Sequence, residues 1–595
     1  MSNYFEIYNE GIKSINFINH SDDIELSGEK VSGIVYYSNY DTLKINIELI
    51  YPMLRISPNK TRDSYKFNVI SKVCPNEELV DIIIDGVLTI TSKLDESTII
   101  RKYYPSTTLA CFYEEIEVVN GKPLELNDEI LNVKDGVDGT IYLKKVVTSE
   151  GNKQKVSYYA SYDKDEFITE ENSLLNRIER LNEITNKLKL TTDNNVLDTM
   201  FRFAKIRACE SVFRTKNGLI HSPGGGNYYA AIWCNDELEY VTPFYAFMND
   251  NILNEAVSNH IKWYLPYKND EFNPIPSSII SEGIDYWDGV GDRGDSSMFL
   301  FGTTRYFLAS GKIPNSEELS MMYWCAEYIL TKKNDYGIIE SDSDELENRI
   351  SSGKMNLNTN CLSYEGLRLF SILLERMNRL DDSIKYKNIS SKLKEDIIKY
   401  FSANIYGYDT YRYHDGCEDI RAWNMMPLYM KFNHNVDGTV DSIEDHLYSE
   451  GSLRSTMGEE ILWDRSTLYY IAALFRSGYT YLGYTRLLEY SKKRLLADRV
   501  PYPVEAYPEY KMRHLSGESA LYARIITDGI LGIEYTKDGF TLRPKMGPLK
   551  YFKLENIYIC GRNFNIKIID GIVNIASDDI LLNEKLGNVI FVKIS

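Results

Sequence analysis

Helical periodicity in the middle of the chain is the feature that most constrains its fold. Between residues 196 and 532, eight segments repeat apolar residues at positions i, i+3 and i+4, for example SSMFLFGTTRYFLASG and SALYARIITDGILGI. This span has room for roughly a dozen helices of ordinary length. Consecutive helices joined by loops predict stacked helical hairpins, arranged either as a solenoid or as a closed toroid. Because the segments follow no fixed sequence period, a regular solenoid is disfavoured.

Strand-forming segments flank the helical region on both sides. KINIELIYPML and LACFYEEIEVVNG before it, and FNIKIIDGIVNIA after it, are β-branched or aromatic runs bounded by turn residues. Short strands at this spacing predict an antiparallel sandwich, whereas ITEENSLLNRIERLNEITNKLKL has helical spacing and predicts a linker helix. The predicted domains are an N-terminal β-sandwich at 1–165, a helical linker at 166–195, a large helical domain at 196–532 and a small C-terminal β-domain at 533–595.

Charge and composition disfavour several classes of partner. The 67 basic and 86 acidic side chains give a net charge of −19, whereas broad binding to nucleic acid or to an anionic membrane requires a basic surface. The N-terminus lacks a basic segment followed by an apolar core, and no apolar run approaches the length of about 18 residues that spans a bilayer, so we expect a cytoplasmic protein. The eight scattered cysteines form no CxxC pair and are expected to be reduced and mostly buried. No motif requires a metal or another cofactor.

Aromatic and acidic residues coincide in four loops of the helical region. In the first, GGGNYYAAIWCNDELEYVTPFY, Trp233 precedes Asp236, Glu237 and Glu239. If a helix starts near Asn235, Asp236 and Glu239 share one of its faces. The acids could instead serve the helix N-terminus, where they favour the helix dipole. That alternative explains one or two acids, but it does not explain the adjacent Trp233.

The second loop, DYWDGVGDRGDSSMF, is rich in aspartate and glycine. It contains Trp287, Asp288, Asp292, Arg293 and Asp295. Asp295 is predicted to cap the helix that begins at SSMF. A carboxyl group beside Trp287 would have a raised pKa through desolvation, which a proton donor at neutral pH requires. Asp288 or Asp292 could therefore act as a general acid.

The third loop, YRYHDGCEDIRAWNMMPLY, brings His414, Arg421 and Trp423 close together in sequence. Polar rings and a bidentate arginine are suited to holding vicinal hydroxyl groups. Trp423 could equally be a core residue. A fifth and weaker candidate segment is ILWDRS, in which Trp463 is followed by Asp464. It is most economically explained as a helix start.

The fourth loop, PYPVEAYPEYKMRHLSGESALY, contains Glu505, Tyr507, Arg513 and His514. Its prolines predict an extended loop, where catalytic groups often lie. A buried glutamate on a rigid loop suits a general base.

Two separated carboxylates in a pocket of aromatic, arginine and histidine side chains are typical of acetal cleavage. One acid protonates the leaving oxygen, and the other carboxylate acts as base or nucleophile. The chain has no clear G-x-S-x-G nucleophile motif, no Walker A motif and no G-x-G-x-x-G after a strand. The pattern therefore favours chemistry on sugars.

The domain order and the loop motifs resemble the six-hairpin glycosidases, which include glucoamylase-like, trehalase-like, disaccharide-phosphorylase and α-L-rhamnosidase-like families. AIWCNDELEYVTPF resembles their W-x-x-D-x helix start, and GVGDRGDSSMFLFGTTRYFLASGK resembles the loop and helix that carry an acid. PYPVEAYPEYKMRHLSGESALYARIITDGILGI resembles the region around the catalytic base. The resemblance implies a multidomain chain, with a mainly α (α/α)6 toroid as catalytic domain between an N-terminal antiparallel β-sandwich and a small C-terminal β-domain.

The resemblance also implies roles for individual residues. It assigns Glu505 as the catalytic base and Asp292, then Asp288, as the acid; a rhamnosidase-like pattern assigns the acid to Asp236 or Glu237. The sequence lacks the Asp-x-Pro-x-Arg-Asp-Glu run of rhamnosidases and the Trp-Glu-Glu of glucoamylases. The residues implied in substrate binding are Trp233, Glu237, Glu239, Trp287, Asp288, Arg293, His414, Arg421, Trp423, Trp463, Asp464, Tyr507, Arg513 and His514.

The function implied is that of an inverting, exo-acting glycoside hydrolase that removes a terminal sugar from oligosaccharides or glycosides. One alternative is a glycoside phosphorylase of the same fold, in which Arg293, Arg421, Arg513 or His514 would place phosphate beside the sugar. A second alternative is a carbohydrate-binding protein without catalysis.

Overall fold

The computed structural model describes residues 3–15, 19–57, 60–285, 291–347, 349–497, 499–508 and 514–594. The strands of its N-terminal part are β1 Phe5–Tyr8, β2 Gly11–Ser14, β3 Ser21–Ser27, β4 Ser32–Asn39, β5 Leu43–Arg55, β6 Ser64–Ile70, β7 Glu78–Ile84, β8 Leu88–Leu94, β9 Ser97–Pro105, β10 Cys111–Val119, β11 Glu129–Gly136, β12 Gly139–Glu150 and β13 Lys153–Ser161.

These strands form two antiparallel sheets that pack face to face. One sheet has the order β1-β2-β7-β8-β9-β10-β13-β12-β11, and the other has the order β3-β4-β5-β6. In the second half of β10 buried and half-buried side chains alternate, as expected for a strand with one buried face, whereas the first four residues, Cys111 to Glu114, are all buried. At Gly33 in β4 a Cβ atom would overlap the ring of Phe112 in β10, so the glycine lets the two sheets approach closely. A sandwich of two sheets therefore occupies the segment for which the sequence predicts one.

Helices dominate the middle of the chain. The α-helices are α1 Ser173–Asn186, α2 Asn195–Glu210, α3 Thr242–Tyr245, α4 Asn251–Tyr264, α5 Asp295–Ser310, α6 Ser316–Thr331, α7 Leu357–Arg376, α8 Leu380–Phe401, α9 Met426–Tyr429, α10 Val436–His446, α11 Asp464–Ser477, α12 Thr480–Leu496 and α13 Ser516–Arg524. Among the described residues, two π-helices (Cys234–Val241 and Ile525–Ile530) and two 3-10 helices (Leu265–Tyr267 and Ala422–Met425) extend or connect them.

The helices after α1 form two concentric layers. Going round the inner layer, the π-helix Cys234–Val241 contacts α5, α5 contacts α7, α7 contacts α9, α9 contacts α11, α11 contacts α13, and α13 contacts the first π-helix again. This inner ring is closed, so the hairpins form a toroid rather than a solenoid. The outer layer is made by α2, α4, α6, α8, α10 and α12. Every residue of α5 is buried, whereas α8 buries only one stripe, as expected for inner and outer helices respectively.

Short strands connect the helices and the two β regions. They are β14 Lys189–Thr192, β15 Val212–Thr215, β16 Gly218–His221, β17 Ala231–Trp233, β18 Ser278–Ile280, β19 Gly283–Asp285, β20 Ser402–Ile405, β21 Tyr408–Tyr411, β22 Tyr448–Ser449, β23 Ser452–Arg454, β24 Leu462–Trp463 and β25 Ala506–Tyr507. The linker at 166–195 was expected to be helical, but α1 ends at Asn186 and β14 joins the C-terminal sheet. The reason is that these residues pair with β28, where Leu190 is buried, and that the two following threonines favour a strand.

The C-terminal strands pack against the toroid. They are β26 Glu534–Thr536, β27 Gly539–Leu542, β28 Tyr551–Ile559, β29 Arg562–Ile569, β30 Ile572–Ala576, β31 Leu581–Lys585 and β32 Ile590–Lys593. Two sheets form, with the orders β14-β28-β29-β30-β31 and β26-β27-β32. Arg376 in α7 donates to the carbonyl oxygens of Thr536, Gly539 and Leu308, and so ties this region to the toroid. No described helix is long and apolar enough to cross a membrane.

Candidate active site

A cavity lies where loops of the inner ring meet, and four carboxylates converge on it. Its open volume is about 50 Å³. The described residues that line it are Pro223, Tyr228, Trp233, Asn235, Asp236, Glu345, Leu346, Glu347, Arg349, Trp463, Arg465, Glu505 and Leu515. Of the residues singled out in the sequence, Trp233, Asp236, Trp463 and Glu505 are therefore brought together.

Asp236 is presented to the cavity by the first π-helix. The chain leaves β17 at Trp233 and begins a wide π-helical turn at Cys234, an arrangement that is frequent at functional sites. The Asp236 side chain is buried, its Oδ1 atom has no hydrogen-bond partner, and Arg465 Nη2 lies 4.0 Å from that atom. Burial raises the pKa of the Asp236 carboxyl group, and nearby Glu505 raises it further.

Glu505 reaches the cavity from the loop between α12 and α13. The loop is fixed to the start of α11, because the Val504 N–H group donates to Asp464 Oδ2 at 2.7 Å and β25 pairs with β24. Arg349 Nη2 lies 3.7 Å from Glu505 Oε1. The Glu505 side chain is 12% exposed, so it mainly faces the cavity and not bulk solvent.

Glu345 enters the cavity from the turn between α6 and α7. Asp344 shapes this turn, since its Oδ1 accepts the Leu346 N–H group at 2.9 Å and its Oδ2 accepts the Tyr413 hydroxyl at 2.5 Å. Glu345 Oε2 accepts a hydrogen bond from the Tyr240 hydroxyl, and Oε1 has no hydrogen-bond partner. Burial raises the pKa of Glu345 to about 8, so its carboxyl group is mostly protonated at neutral pH.

Glu347 belongs to the same turn and carries backbone strain. Its φ is 57°, a left-handed conformation that side chains other than glycine rarely adopt and that clusters at functional sites. Arg293 Nη1 lies 3.0 Å from Glu347 Oε1, and burial raises the pKa of the carboxyl group. Sequence reasoning missed both Glu345 and Glu347. The only available signal was the acidic run SDSDELEN between two helices.

Aromatic rings form the walls of the cavity. Tyr228 and Trp233 meet edge to face with their ring centroids 5.3 Å apart. On the other side the guanidinium groups of Arg349 and Arg465 lie 5.1 and 5.7 Å from the centroid of the Trp463 ring. Such ring faces pack well against apolar C–H surfaces, and the carboxylates and guanidinium groups beside them can bind hydroxyl groups.

Glu237 and Glu239, the other two acids of the first loop, contact groups outside the cavity lining. Glu237 accepts the Trp233 N–H group, and its Oε1 lies 3.3 Å from His221 Nδ1. Glu239 Oε1 accepts the Tyr469 hydroxyl at 2.5 Å. Both side chains are buried and neither lines the cavity, so their positions support the local structure of the π-helix.

Asp292 also lies outside the cavity lining. Its Oδ1 accepts the Gly294 N–H group at 2.8 Å, and its Oδ2 accepts the Tyr328 hydroxyl at 2.6 Å. Burial raises the pKa of Asp292 to about 6. Arg293 is paired with Asp295 at 2.8 Å and with Glu347. The N-cap of α5 is Gly294, not Asp295 as expected, because the Asp295 carboxylate instead accepts the backbone N–H group of Arg293.

Three further predicted binding residues have structural contacts. Trp423 is buried, and its ring meets that of Tyr469 edge to face at 5.7 Å. Asp464 is the first residue of α11, in line with the expected helix start, and is paired with Arg494 at 2.7 Å. Tyr507 pairs with Leu462 across β24 and β25. These three residues do not line the cavity.

The remaining predicted residues lie in other places. His414 and Arg421 belong to a separate cluster that does not line the cavity. His514 lines a second groove, bordered by β3 to β6, and its Nε2 lies 3.0 Å from the Arg499 carbonyl oxygen. Trp287, Asp288 and Arg513 lie outside the described residues.

Comparisons with solved structures identify the fold. A protein described as a kojibiose phosphorylase from the human microbiome superposes with a TM-score of 0.57 at 12% identity, covering 100% of this chain and 99% of the other. A bacterial glucoamylase complexed with acarbose gives 0.53 at 10% identity, covering 87% of this chain and 96% of the other. A sialidase gives 0.52 at 8% identity, covering 94% of this chain and 66% of the other. Protein-family models and curated protein sequences give no match.

The chain therefore has the (α/α)6 fold of the six-hairpin glycosidases, and the resemblance predicted from the loop motifs is confirmed for the fold.

Proposed function

We propose that the protein is a carbohydrate-active enzyme, specifically an inverting, exo-acting glycoside hydrolase. The observation that carries this proposal is the convergence of Asp236, Glu345, Glu347 and Glu505 on one cavity with two tryptophan rings. Hydrolysis of a glycosidic bond with inversion needs a protonated carboxyl group on one side and a carboxylate that activates water on the other. The solved structures that share the fold include a glucoamylase complexed with acarbose, which is consistent with this proposal.

Glu505 is proposed as the general base, and Glu345 as the proton donor. Glu345 is supported by its burial, which keeps its carboxyl group protonated at neutral pH, and by its unpartnered Oε1 atom. Glu347, in the same turn, is the second candidate for the donor. The acid assigned by resemblance, Asp292, has both carboxylate oxygens occupied and does not line the cavity.

Asp236, Asn235 and the rings of Trp233 and Trp463 are proposed to bind the terminal sugar. Arg349 lies across Glu505 and the Trp463 ring, and its side chain is 46% exposed. We propose that the substrate displaces this side chain.

The same elements support a division of the chain into functional parts. We propose that residues 196–532 form the catalytic domain, that 1–165 form the sandwich domain, and that 533–595 form the C-terminal domain. Within the linker 166–195, β14 belongs structurally to the C-terminal sheet.

A glycoside phosphorylase is the second candidate function. Arg349 and Arg465 line the cavity beside Glu505, and arginine is well suited to binding phosphate. The arginines are not those named from the sequence, since Arg293 is paired with two carboxylates and Arg421 lies elsewhere. A carbohydrate-binding protein without catalysis receives less support, because sugar binding alone does not need a carboxyl group that burial keeps protonated, as at Glu345.

The deciding experiment is a screen of aryl glycosides and disaccharides with and without phosphate. Turnover independent of phosphate, with NMR showing the inverted anomer as the first product, would support the hydrolase. Turnover that requires phosphate and yields a sugar phosphate would establish the phosphorylase. Binding of sugars without turnover under either condition would leave only the carbohydrate-binding protein.

A further inference from the structure

A groove lies beside the candidate active site, between the sandwich and the toroid. Its floor is the outer face of the sheet β3-β4-β5-β6, and its walls are loops of the toroid. The groove has a volume of about 850 Å³, within the range of about 300–1,000 Å³ that is common for sites that bind small molecules. We call it the sheet groove; the described residues of its floor include Asp23, Ile34, Tyr36, Asn46, Glu48 and Asn68.

The sheet groove and the active-site cavity are bordered by the same two loops. Pro223 and Tyr228 line the cavity, whereas residues 225–227 of the same loop line the sheet groove. In the connection between α12 and α13, His514 lines the sheet groove and the next residue, Leu515, lines the cavity. A molecule that leaves the cavity past either loop therefore meets the sheet groove.

The first of these loops is fixed to the floor by hydrogen bonds. The Gly225 N–H group donates to Glu25 Oε2 in β3 at 3.0 Å, and Lys66 Nζ in β6 donates to the Gly226 carbonyl oxygen at 3.1 Å. The φ angles of Gly225 and Gly226 are 64° and 87°, in the left-handed region that favours glycine. Glu25 is held in turn by Arg207, whose Nη2 lies 2.9 Å from Oε2. This wall is in place before a ligand binds, which lowers the cost of binding.

The floor combines an aromatic ring with side-chain amides. Tyr36 in β4 is 39% exposed and lies directly opposite Asn46 in β5. Side chains in such a pair have their Cβ atoms about 4.5–5.5 Å apart. Asn46 and Asn68 are both exposed. A ring face packs against the C–H surface of a sugar, and an amide both donates hydrogen bonds to hydroxyl groups and accepts them.

Most charged groups that line the sheet groove are paired within the protein. Lys66 Nζ lies 2.5 Å from Glu48 Oε1, and Arg499 Nη1 lies 2.7 Å from Asp23 Oδ1. Asp22 Oδ2 accepts the backbone N–H group of Arg499 at 2.9 Å. A charged ligand would have to break these pairs and leave one partner uncompensated, whereas a neutral ligand would not. The sheet groove therefore suits a neutral molecule rich in hydroxyl groups.

We propose that the sheet groove binds a neutral oligosaccharide, namely the sugar units that follow the terminal sugar held in the cavity. This inference rests on the proposed function, which supplies the terminal sugar and its cleavage. The Tyr36 ring packs against one of the following sugar units, and Asn46 binds its hydroxyl groups. The leaving portion of the substrate then lies on the sandwich domain, and the cleaved bond lies at the boundary between the two spaces.

The first test measures binding by the full-length protein carrying Glu505→Gln, which slows turnover. An array of neutral glycans with one to six sugar units identifies the sugar that binds, and calorimetry then gives Kd for each length of that sugar. We expect Kd to fall about tenfold or more between one unit and three, because the added units contact the sheet groove. An equal Kd at every length, or no binding to any glycan of the array, would overturn the proposal.

Variants of the floor test its residues directly, with circular dichroism used to verify folding. Tyr36→Ala should raise the Kd of the three-unit sugar about tenfold and leave that of the single sugar unchanged. Asn46→Ala should raise the three-unit Kd several-fold. Tyr481→Ala is the matched control, because Tyr481 in α12 is 72% exposed and does not line the sheet groove. Unchanged three-unit binding in folded Tyr36→Ala and Asn46→Ala would contradict the proposal.

Kinetics with Glu505 intact separate this inference from the proposed function. We expect Tyr36→Ala to raise KM for a three-unit substrate about tenfold and to leave kcat/KM for a single-sugar aryl glycoside unchanged. If substrates are turned over with the same KM at one and three units, the hydrolase stands and the groove proposal fails. If no substrate is turned over, yet binding depends on length and on Tyr36, the proposed function fails and the binding site stands.

Discussion

The guanidinium of Arg349 lies 3.7 Å from the carboxylate of Glu505, although the two residues come from different connections of the toroid. Arg349 lies in the connection between α6 and α7, and Glu505 lies in the connection between α12 and α13. The contact places a guanidinium group beside the side chain that is proposed to accept a proton from water. It also places the turn that holds Glu345 and Glu347 opposite the loop that holds Glu505.

Replacing Glu505 should remove turnover without unfolding the protein. Glu505→Gln keeps the size of the side chain but cannot accept the proton of the attacking water, so we expect kcat to fall about 10²- to 10⁴-fold. Glu460→Gln is the matched control, because Glu460 is exposed and lies outside the cavity lining. Activity is measured on the substrate identified by the screen. Retained activity in folded Glu505→Gln would rule out this base.

The proton donor can be identified from the dependence on the leaving group. Glu345→Gln should lose most activity on a natural disaccharide, whose alkoxide leaves poorly without protonation. It should lose far less on an aryl glycoside with an acidic phenol, since that leaving group needs no proton. Glu347→Gln is the comparison. If Glu347→Gln shows this selectivity and Glu345→Gln does not, Glu347 is the donor.

The same assignment predicts an alkaline limit to the rate. Burial raises the pKa of Glu345 to about 8, and only its protonated form can donate. We therefore expect kcat/KM to fall as the pH rises through about 8. The residual activity of Glu345→Gln should not show this alkaline fall. A pH–rate profile of both proteins provides the measurement. If the alkaline fall in kcat/KM persists unchanged in the variant, it reports the titration of a group other than Glu345.

Asp292 is expected to matter for stability more than for catalysis. Asp292→Ala leaves the Gly294 N–H group and the Tyr328 hydroxyl without their acceptor, which should cost about 1–3 kcal/mol in the free energy of unfolding. Tyr328→Phe removes only one of these bonds and should cost less. Chemical denaturation and turnover are measured side by side. A loss of turnover of about a hundredfold or more with unchanged stability would instead restore Asp292 as the acid.

Asp250 should make stability depend on acid pH. Its side chain caps α4 and lies 2.9 Å from Arg180 and 3.1 Å from Lys187. Although burial opposes ionisation, these two cations lower the pKa of Asp250 to about 2. A lowered folded-state pKa stabilises the fold above the unfolded pKa near 4, and the contribution is lost as the pH falls towards 2.

The variant Asp250→Asn keeps a capping side chain but removes the charge. It should lower the free energy of unfolding by about 1–2 kcal/mol at pH 7, with a smaller difference at pH 3. Asp270→Asn, at an exposed position, is the charge-matched control. Denaturation curves at the two pH values provide the measurement. If Asp250→Asn lowers the free energy of unfolding by the same amount at pH 7 and at pH 3, the charge of Asp250 is not the cause of the loss.

Several elements of the site could be predicted from local sequence. The change from period 2 to period 3.6 marked the toroid, because apolar spacing reports which face of each element is buried. Trp233, Asp236 and Glu505 were predicted because aromatic and acidic residues adjoin each other in loops. The short strand β14 was missed because its four residues are stabilised mainly by pairing with β28, far away in the chain.

The sequence by itself determined the type and order of the elements, since helix and strand periods are properties of neighbouring residues. Only the tertiary structure decided which acids share the cavity. Asp292 and Glu345 both lie in loops before inner helices. The carboxylate of Asp292 accepts the Tyr328 hydroxyl and the Gly294 N–H group and lies outside the cavity lining, whereas Glu345 lines the same cavity as Glu505. Tyr328 for Asp292 and Tyr240 for Glu345 come from other helices, so no local pattern in the sequence records these contacts.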